Sequence, residues 1–462
     1  MQVSIVGAGY VGLVTGLCLA DRGHHVTCVD VDSRKIVALS RGILPIHEPG
    51  LPELLAEHLG RRFVPTTDIV SAVADSNVTM ITVGTPLRDG AISLDAVESA
   101  AVAIGQALAR KDGYHLVIVK STVVPGTTEG VVRRALEAAS GLNAGRDFGL
   151  GMNPEFLREG EAVEDFQKPD RIVLGGLDAR SLDLMSELYA AFPAEQVRTN
   201  PRTAEMIKYV SNALLATLIS FSNEMGNLCS AAPDVDVTDV LGAVHLDKRI
   251  SPVGPDGQRT VPTITSYLRA GCGFGGSCFP KDVRALISWG AEQGRHPRLL
   301  DAVLEINERQ PLEVISLLKR RLPDLEGVRV AILGLAFKAQ TDDVRESPAL
   351  RVIQALTSEG ARVVAFDPVA MPAARLVLGA GIEYARSLAD AVRDADAVVL
   401  LTSWPEFRDL EPIILSQEKA PILVDGRRFY DASLTPCYEG IGLGPRGPVP
   451  ASATLREADA AV

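Results

Sequence analysis

Cysteine is scarce in this 462-residue chain, which has only Cys18, Cys28, Cys229, Cys272, Cys278 and Cys437, none of them in a CxxC pair. Such spacing excludes a disulfide framework and gives no support to a metal site, so a reduced, cytoplasmic compartment is expected. Positive charge is also in deficit: 46 lysines and arginines face 58 acidic residues, a net charge of −12. A nucleic-acid binder carries a basic face, so no nucleic acid is expected as a partner, and any anionic ligand must be held by local donors. A membrane-length apolar run is missing too. The stretch from Val3 to Ala20 lacks a basic flank and carries Gly7, Gly9, Gly12 and Gly16, which fits neither a signal peptide nor a membrane span.

What is present reads as ordinary globular chain, 47% hydrophobic and 23% charged. At roughly 150 residues per domain it holds about three domains. Up to about residue 195, short β-branched runs (VSIVG, HVTCVD, VTMITVG, HLVIVK, RIVLGG) alternate with longer amphipathic stretches. Apolar runs of that length between helical segments predict βαβ units around a parallel sheet covered on both faces. From Pro201 to Gln310 long helical stretches dominate, broken by a Pro/Gly-rich patch at 251–266, and from Gly327 the alternation returns with VRVAILG, RVVAFD, DAVVLL and PILVDG. The expected fold is α/β: two Rossmann-like, doubly wound parallel-sheet domains (1–198 and 311–440) joined by a central long-helix region (199–310). A loose tail is expected over 441–462, where apolar periodicity fades.

The first chemical motif is Gly7-Ala8-Gly9-Tyr10-Val11-Gly12, placed after a strand and at the start of a helix. Its glycines allow a tight turn, close approach of backbone N–H groups to a pyrophosphate, and close helix–strand packing. Asp30 ends the next strand, eighteen residues after Gly12, where a carboxylate takes the ribose hydroxyls of NAD and repels the 2′-phosphate of NADP. Lys35, a helical turn further on, fits either the adenosine side of that site or a surface position.

The second motif is GCGFGGSCFPKD at 271–282, whose four glycines strip side chains from a loop leading to Cys278. With Lys281 close in sequence, this thiol fits a lowered pKa and a nucleophilic role; it also fits a small cysteine packed against a turn. Cys272 lacks such a neighbour and reads as packing. Lys208 and Asn212 are four apart, hence on one helix face among apolar neighbours, and suit a base or an electrostatic clamp as well as a snorkelling surface lysine. Glu155 and Glu159, also four apart, suit acid–base work or a solvated helix start.

Taken together the chain resembles the NAD-dependent nucleotide-sugar dehydrogenases of the UDP-glucose/GDP-mannose dehydrogenase family. The matching stretches are GAGYVGL, VGTP, KSTV, NPEFLREG, IKYVSNALLAT, GFGGSCFPKD, GLAFKAQTDDVRESPAL and VDGRRFYD, in the family's order over residues 3–435. The resemblance implies oxidation of a C6 alcohol to a carboxylate with two NAD reduced, through a thiohemiacetal and a thioester on Cys278. It implies that Lys208 stabilises the oxyanion or assists deprotonation with Asn212 and a water held by Asp282. Glu155 would serve thioester hydrolysis, and Thr122 would position that water or the nicotinamide. Beyond the glycine turn, Thr85, Ser121, Thr122, Glu159 and Arg345 would complete the cofactor site. Substrate binding would fall to Glu155, Phe156, Leu157, Arg158, Glu159, Lys208, Asn212, Arg249, Arg269, Phe274, Gly275, Phe337, Lys338 and Arg427. A homodimer built on the central helices is implied, with Arg249 acting across the interface.

GFGGSCFPKD points to the glucose branch and UDP-glucose, with dTDP-glucose the first alternative, then GDP-mannose or UDP-N-acetylmannosamine. Uracil and thymine differ by one methyl, worth only ~1–3 kcal/mol in a pocket. SPVGPDGQRTVPTITS (251–266) departs from the family pattern as an insertion. It reads as a flap near the base or ribose, an addition to the subunit contact, or a plain solvent loop.

Overall fold

A computed structural model describes residues 1–435 and 437–445, and the rest of the expected tail lies outside them. The chain forms two compact units: Met1–Leu214 with Ser277–Leu300 and Gln340–Asp342, and Leu215–Gly276 with Asp301–Ala339 and the chain from Asp343 onward.

The first unit is built on β1 (Gln2–Val6), β2 (His25–Val29), β3 (Phe63–Thr66) and β4 (Val78–Ile81). A small antiparallel hairpin, β5 (Leu87–Arg88) and β6 (Ala91–Ile92), follows, then β7 (Leu116–Val119), β8 (Gly149–Met152), β9 (Arg171–Gly176) and β10 (Glu195–Thr199). The hairpin aside, these strands form one sheet in the order β10-β9-β8-β7-β4-β1-β2-β3. Successive residues of a strand serve opposite faces: Ile5, Met80 and Ile118 join one buried cluster, while Val6, Ile81, Val117 and Val119 join another. This is why the runs read as continuously apolar. One pairing departs from the expected parallel sheet, because β8 and β9 run antiparallel. They meet at Gly151, Gly175 and Gly176, where a Cβ would come within 2.7 Å of Met185, Ala204 or Leu182.

The second unit holds an all-parallel sheet of β11 (Arg329–Leu333), β12 (Arg362–Phe366), β13 (Glu383–Tyr384), β14 (Ala397–Leu400), β15 (Ile422–Asp425) and β16 (Tyr438–Gly440), ordered β13-β12-β11-β14-β15-β16. The loose tail expected from 441 begins too early. Ile441 and Leu443 are buried, Gly442 turns the chain at φ +75°, and Leu443 bridges to Asp236. Two apolar residues around a left-handed glycine suffice to dock a segment too short to show periodicity.

The central helix Pro201–Ser230 matches the expectation, with its residues to Leu214 in the first unit and the remainder in the second. In the second unit, residues 252–260 of the 251–266 insertion form a hairpin and Thr263–Tyr267 a 3-10 turn. Gly254 N–H donates to Gln258 O at 2.8 Å, and Thr260 N–H to Pro252 O at 2.9 Å. The Arg259 guanidinium pins it by donating to Leu246 O and Ser251 O.

Candidate active site

At the C-terminal end of β1 the glycine turn has the geometry its spacing predicts. Gly7 stands at φ +116° with its Cβ position 2.9 Å from the Thr82 backbone, and a Cβ on Gly12 would lie 1.9 Å from Gly7 O. Gly9 instead faces open space with nothing within 4 Å of its Cβ position. A side chain there would fill the approach to the helix of Tyr10, Val11 and Gly12, so the turn fits a dinucleotide pyrophosphate. The site lies where strand order reverses between β1 and β4, which is where ligands bind such sheets.

Asp30 Oδ2 accepts the Ala8 N–H at 2.8 Å and Oδ1 accepts the Asp32 N–H at 2.9 Å. The carboxylate therefore fixes the turn that it overlooks. Lys35 Nζ lies 3.5 Å from it and keeps two-fifths of its side-chain surface exposed. Beyond β4 and β7, the Thr85 hydroxyl donates to Thr122 O at 2.9 Å and Ser121 Oγ to Val83 O at 2.7 Å. These bonds stitch VGTP to KSTV.

In the same unit a second cluster gathers residues far apart in sequence. Lys208 Nζ lies 2.9 Å from Glu155 Oε1, with side-chain exposures of 4% and 6%. The other Glu155 oxygen accepts Leu157 N–H at 2.6 Å. Burial alone would raise the Glu155 carboxyl, but the Lys208 ammonium holds it below its ordinary value. Burial would likewise strip the proton from Lys208, and the Glu155 carboxylate, with Cys278 and Asp282, raises it instead. Lys208 is therefore held as an ammonium. Phe156 underlies this pair, its ring centroid 5.5 Å from Lys208 Nζ and 4.2 Å from the Arg171 guanidinium.

One turn along the helix from Lys208, Asn212 Nδ2 donates to Asp282 Oδ2 at 2.6 Å. Cys278 caps the N-terminus of the Phe279–Glu292 helix, and Asp282 N–H donates to Cys278 O at 2.8 Å. Burial pushes the Cys278 thiol up to about 11; Lys208 pulls it down, whereas Glu155 and Asp282 push it further up. The lowered pKa expected from Lys281 is thus corrected. Lys281 turns away to Asp282 Oδ1 at 2.5 Å, and the cation acting on the sulfur is Lys208. Ser277 Oγ sits 3.6 Å from Cys278 Sγ and donates to Glu159 Oε1 at 2.9 Å. Arg158, itself half exposed, pairs with Glu161 and Asp165.

The second unit carries the remaining expected residues. The Arg427 guanidinium donates to the carbonyls of Leu401, Gly273 and Phe337, at 2.7, 3.0 and 3.3 Å, which ties the glycine loop to the segment before Lys338. Phe274 N–H donates to Asn307, and Gly276 N–H to Arg345 O. A Cβ at Gly275 would lie 2.3 Å from Glu346 O, so only glycine passes there. Arg345 pairs with Asp343, and Arg249 with Asp247, the latter guanidinium at 89% exposure. Cys272 is fully buried, as a packing role requires.

Among the buried polar residues that no motif argument singles out are Glu48, Lys120, Asn153 and Glu205. Lys120 Nζ donates to Asn153 Oδ1 at 2.9 Å, and burial pushes its ammonium down to about 8. Glu205 accepts the N–H groups of Gly126 and Thr128. It lies three residues before Lys208, a spacing that gives a shared helix face but not its partners.

Comparison with known proteins agrees with this geometry. Residues 1–193 match the NAD binding domain of the UDP-glucose/GDP-mannose dehydrogenase family, residues 202–309 its central domain, and residues 331–432 its UDP binding domain. The chain is 44% identical to the UDP-glucose 6-dehydrogenase AglM of Haloferax volcanii, covering 93% of this chain and 97% of that one. It is 40% identical to the UDP-glucose 6-dehydrogenase TuaD of Bacillus subtilis, covering 93% and 89%. A solved UDP-glucose dehydrogenase from Pyrobaculum islandicum superposes with a TM-score of 0.86 at 42% identity, covering 96% of this chain and 97% of that one. No helix among the described residues is long and apolar enough to cross a membrane. A glycine turn shaped for a dinucleotide, a buried lysine–carboxylate cluster beside a cysteine, and these matches lead to one conclusion: the chain belongs to the UDP-glucose/GDP-mannose dehydrogenase family of NAD-dependent nucleotide-sugar oxidoreductases.

Proposed function

We propose that the protein oxidises UDP-glucose at C6 to UDP-glucuronate, with Cys278 as the covalent nucleophile. The observation carrying this reading is the buried cluster in which the charges of Lys208, Glu155 and Asp282 act on the Cys278 sulfur, with Asn212 holding Asp282 by a hydrogen bond. An alcohol dehydrogenase that stops at the aldehyde has no use for such a thiol.

NAD supplies the hydride acceptor for both oxidations. The Lys208 ammonium stabilises the C6 oxyanion as the hydroxyl proton passes, through a water held by Asp282 and Asn212, to the Asp282 carboxylate. The Cys278 sulfur then attacks the aldehyde carbon and its proton ends on the new C6 hydroxyl, giving a thiohemiacetal. Loss of a hydride from C6 and of that hydroxyl proton leaves a thioester. Glu155 orients the water that adds to the thioester carbonyl, Thr122 helps to place it, and the C–S bond breaks to restore the thiol. The balance is one alcohol, one water and two NAD giving one carboxylate, two NADH and three protons.

In this reading Gly7, Gly9, Tyr10, Val11, Gly12, Asp30, Lys35, Thr85, Ser121, Glu159 and Arg345 serve the cofactor. Phe156, Leu157, Arg158, Arg249, Arg269, Phe274, Gly275, Phe337, Lys338 and Arg427 serve the nucleotide sugar. The functional division is a cofactor domain at 1–198, a central helical domain at 199–310 and a nucleotide-sugar domain at 311–440. Lysine and arginine answer the diphosphate locally, which reconciles anion binding with an acidic chain.

A homodimer and a cytoplasmic setting complete the reading. Val210, Leu214, Phe221 and Leu228 recur at helical spacing on the central helix and are each about half or more exposed, an apolar stripe that a second copy covers. Arg249, exposed and paired with Asp247, would act across that interface. Light scattering on Phe221→Glu should show a monomer, and an unchanged dimer contradicts the stripe. The six free cysteines fit a reducing compartment, which cell fractionation can check. The substrate test compares UDP-glucose with dTDP-glucose and identifies the product by mass. UDP-glucuronate and a kcat/KM at least tenfold higher for UDP-glucose support the reading, whereas faster turnover of dTDP-glucose contradicts it.

A further inference from the structure

Glu48 is 2% exposed and belongs to none of the segments assigned above. Its carboxylate gathers donors from two stretches of the first unit. Oε2 accepts the Tyr10 hydroxyl and, at 2.6 Å, the Gly160 N–H, while Oε1 accepts the Ala162 N–H at 2.7 Å. The Gly160 N–H also reaches Tyr10 Oη at 3.2 Å. Tyr10 opens the helix that follows the dinucleotide turn, and Gly160 closes the segment holding Glu155 and Glu159. From there the contacts continue, since Glu159 takes the hydroxyl of Ser277, whose neighbour is Cys278.

We infer that Glu48 is a positioning residue: it ties the 155–160 segment to the start of the cofactor helix, and so keeps Glu155 at Lys208 and Glu159 at the Ser277–Cys278 turn. Three donors converge on this one side chain in a sealed site, where hydrogen bonds are electrostatically stronger than in water. The segment has little freedom to settle otherwise. Gly160 stands at φ +83° with its Cβ position 2.5 Å from Gln340 O, so the backbone takes a path that only glycine follows without strain. Glu48→Gln keeps the volume but sets an amide NH₂ against one of these donors, leaving a buried contact of donor on donor. The inference rests on the proposed roles of Cys278 and Glu155.

Its test uses the full chain with Glu48→Gln, Glu48→Asp and Tyr10→Phe, read by amide hydrogen exchange and by rapid-mixing NADH kinetics. In Glu48→Gln the 155–162 peptide should exchange at least tenfold faster while peptides elsewhere match the parent. Its kcat should fall at least tenfold with KM for NAD within threefold, and a burst of two NADH per site should persist, because loss of Glu155 alignment slows thioester hydrolysis. A merely structural role would instead shrink the burst in proportion to the folded fraction. Glu48→Asp should recover part of the rate, and Tyr10→Phe should repeat the pattern in weaker form. Parent-like exchange and kcat in Glu48→Gln would overturn the inference, as would a burst falling in step with kcat. If Glu48→Gln does not fold, Tyr10→Phe decides, and an unchanged kcat there overturns it. A parent enzyme that leaves UDP-glucose untouched overturns the proposed function instead, and the exchange measurement still judges the tether.

Discussion

Lys208 Nζ and Glu155 Oε1 stand 2.9 Å apart in a site closed to solvent, so each ion keeps the other charged. Removing one partner of such a pair leaves an uncompensated buried charge, which typically costs about 3–5 kcal/mol. Lys208→Met should therefore lower the melting temperature as well as kcat, the latter at least a hundredfold because the oxyanion loses its cation. Glu155→Gln should retain more turnover and accumulate a sugar-bearing adduct on Cys278, visible in the intact mass. Equal turnover in Lys208→Met and the parent would remove the lysine from the mechanism.

The Cys278 thiol, pushed up to about 11, is protonated in the free enzyme near neutrality. Below that pKa the thiolate fraction rises about tenfold per pH unit. Iodoacetamide should accordingly alkylate Cys278 about tenfold faster at each step from pH 7 to pH 8 to pH 9, with Cys278→Ser as the background. A plateau already reached at pH 7 would mean a preformed thiolate and contradict the electrostatics.

Glu205 provides an independent pH test, since burial pushes its carboxyl up to about 7 from 4.5. The folded state then keeps a proton that the unfolded chain releases, and this group's contribution to stability falls as pH rises from 4.5 towards 7 and levels off above. The swing is at most about 3 kcal/mol. Melting the parent and Glu205→Gln at pH 5 and pH 8 should show the variant gaining on the parent at the higher pH. The same difference at both pH values contradicts the shift.

Much of this was legible in the sequence because it is local. The short apolar runs became β1, β2, β4, β7 and β9; the spacing from Gly12 pointed to Asp30 as a ribose-binding carboxylate, and the structure shows it also accepting the Ala8 N–H of the turn. Lys208 and Asn212 were placed on one face by their spacing of four. What stayed hidden depends on partners remote in the chain. Glu48 meets Gly160 across 112 residues and Glu205 meets Gly126 across 79, and nothing in HEPG or AEMIK says where those carboxylates will point. Adjacency also misled, because Lys281 lies close to Cys278 in sequence yet pairs with Asp282, leaving the sulfur to Lys208. The docked Ile441–Leu443 stretch is too short for a periodic pattern to announce it.

The most direct measurement is the NADH yield per UDP-glucose consumed, run to completion with the parent and with Cys278→Ser. The account predicts two NADH per sugar and a uronate product for the parent, with steady turnover collapsing in the variant. One NADH per sugar with an aldehyde released by the parent, or a variant that still yields two at an undiminished rate, would contradict it.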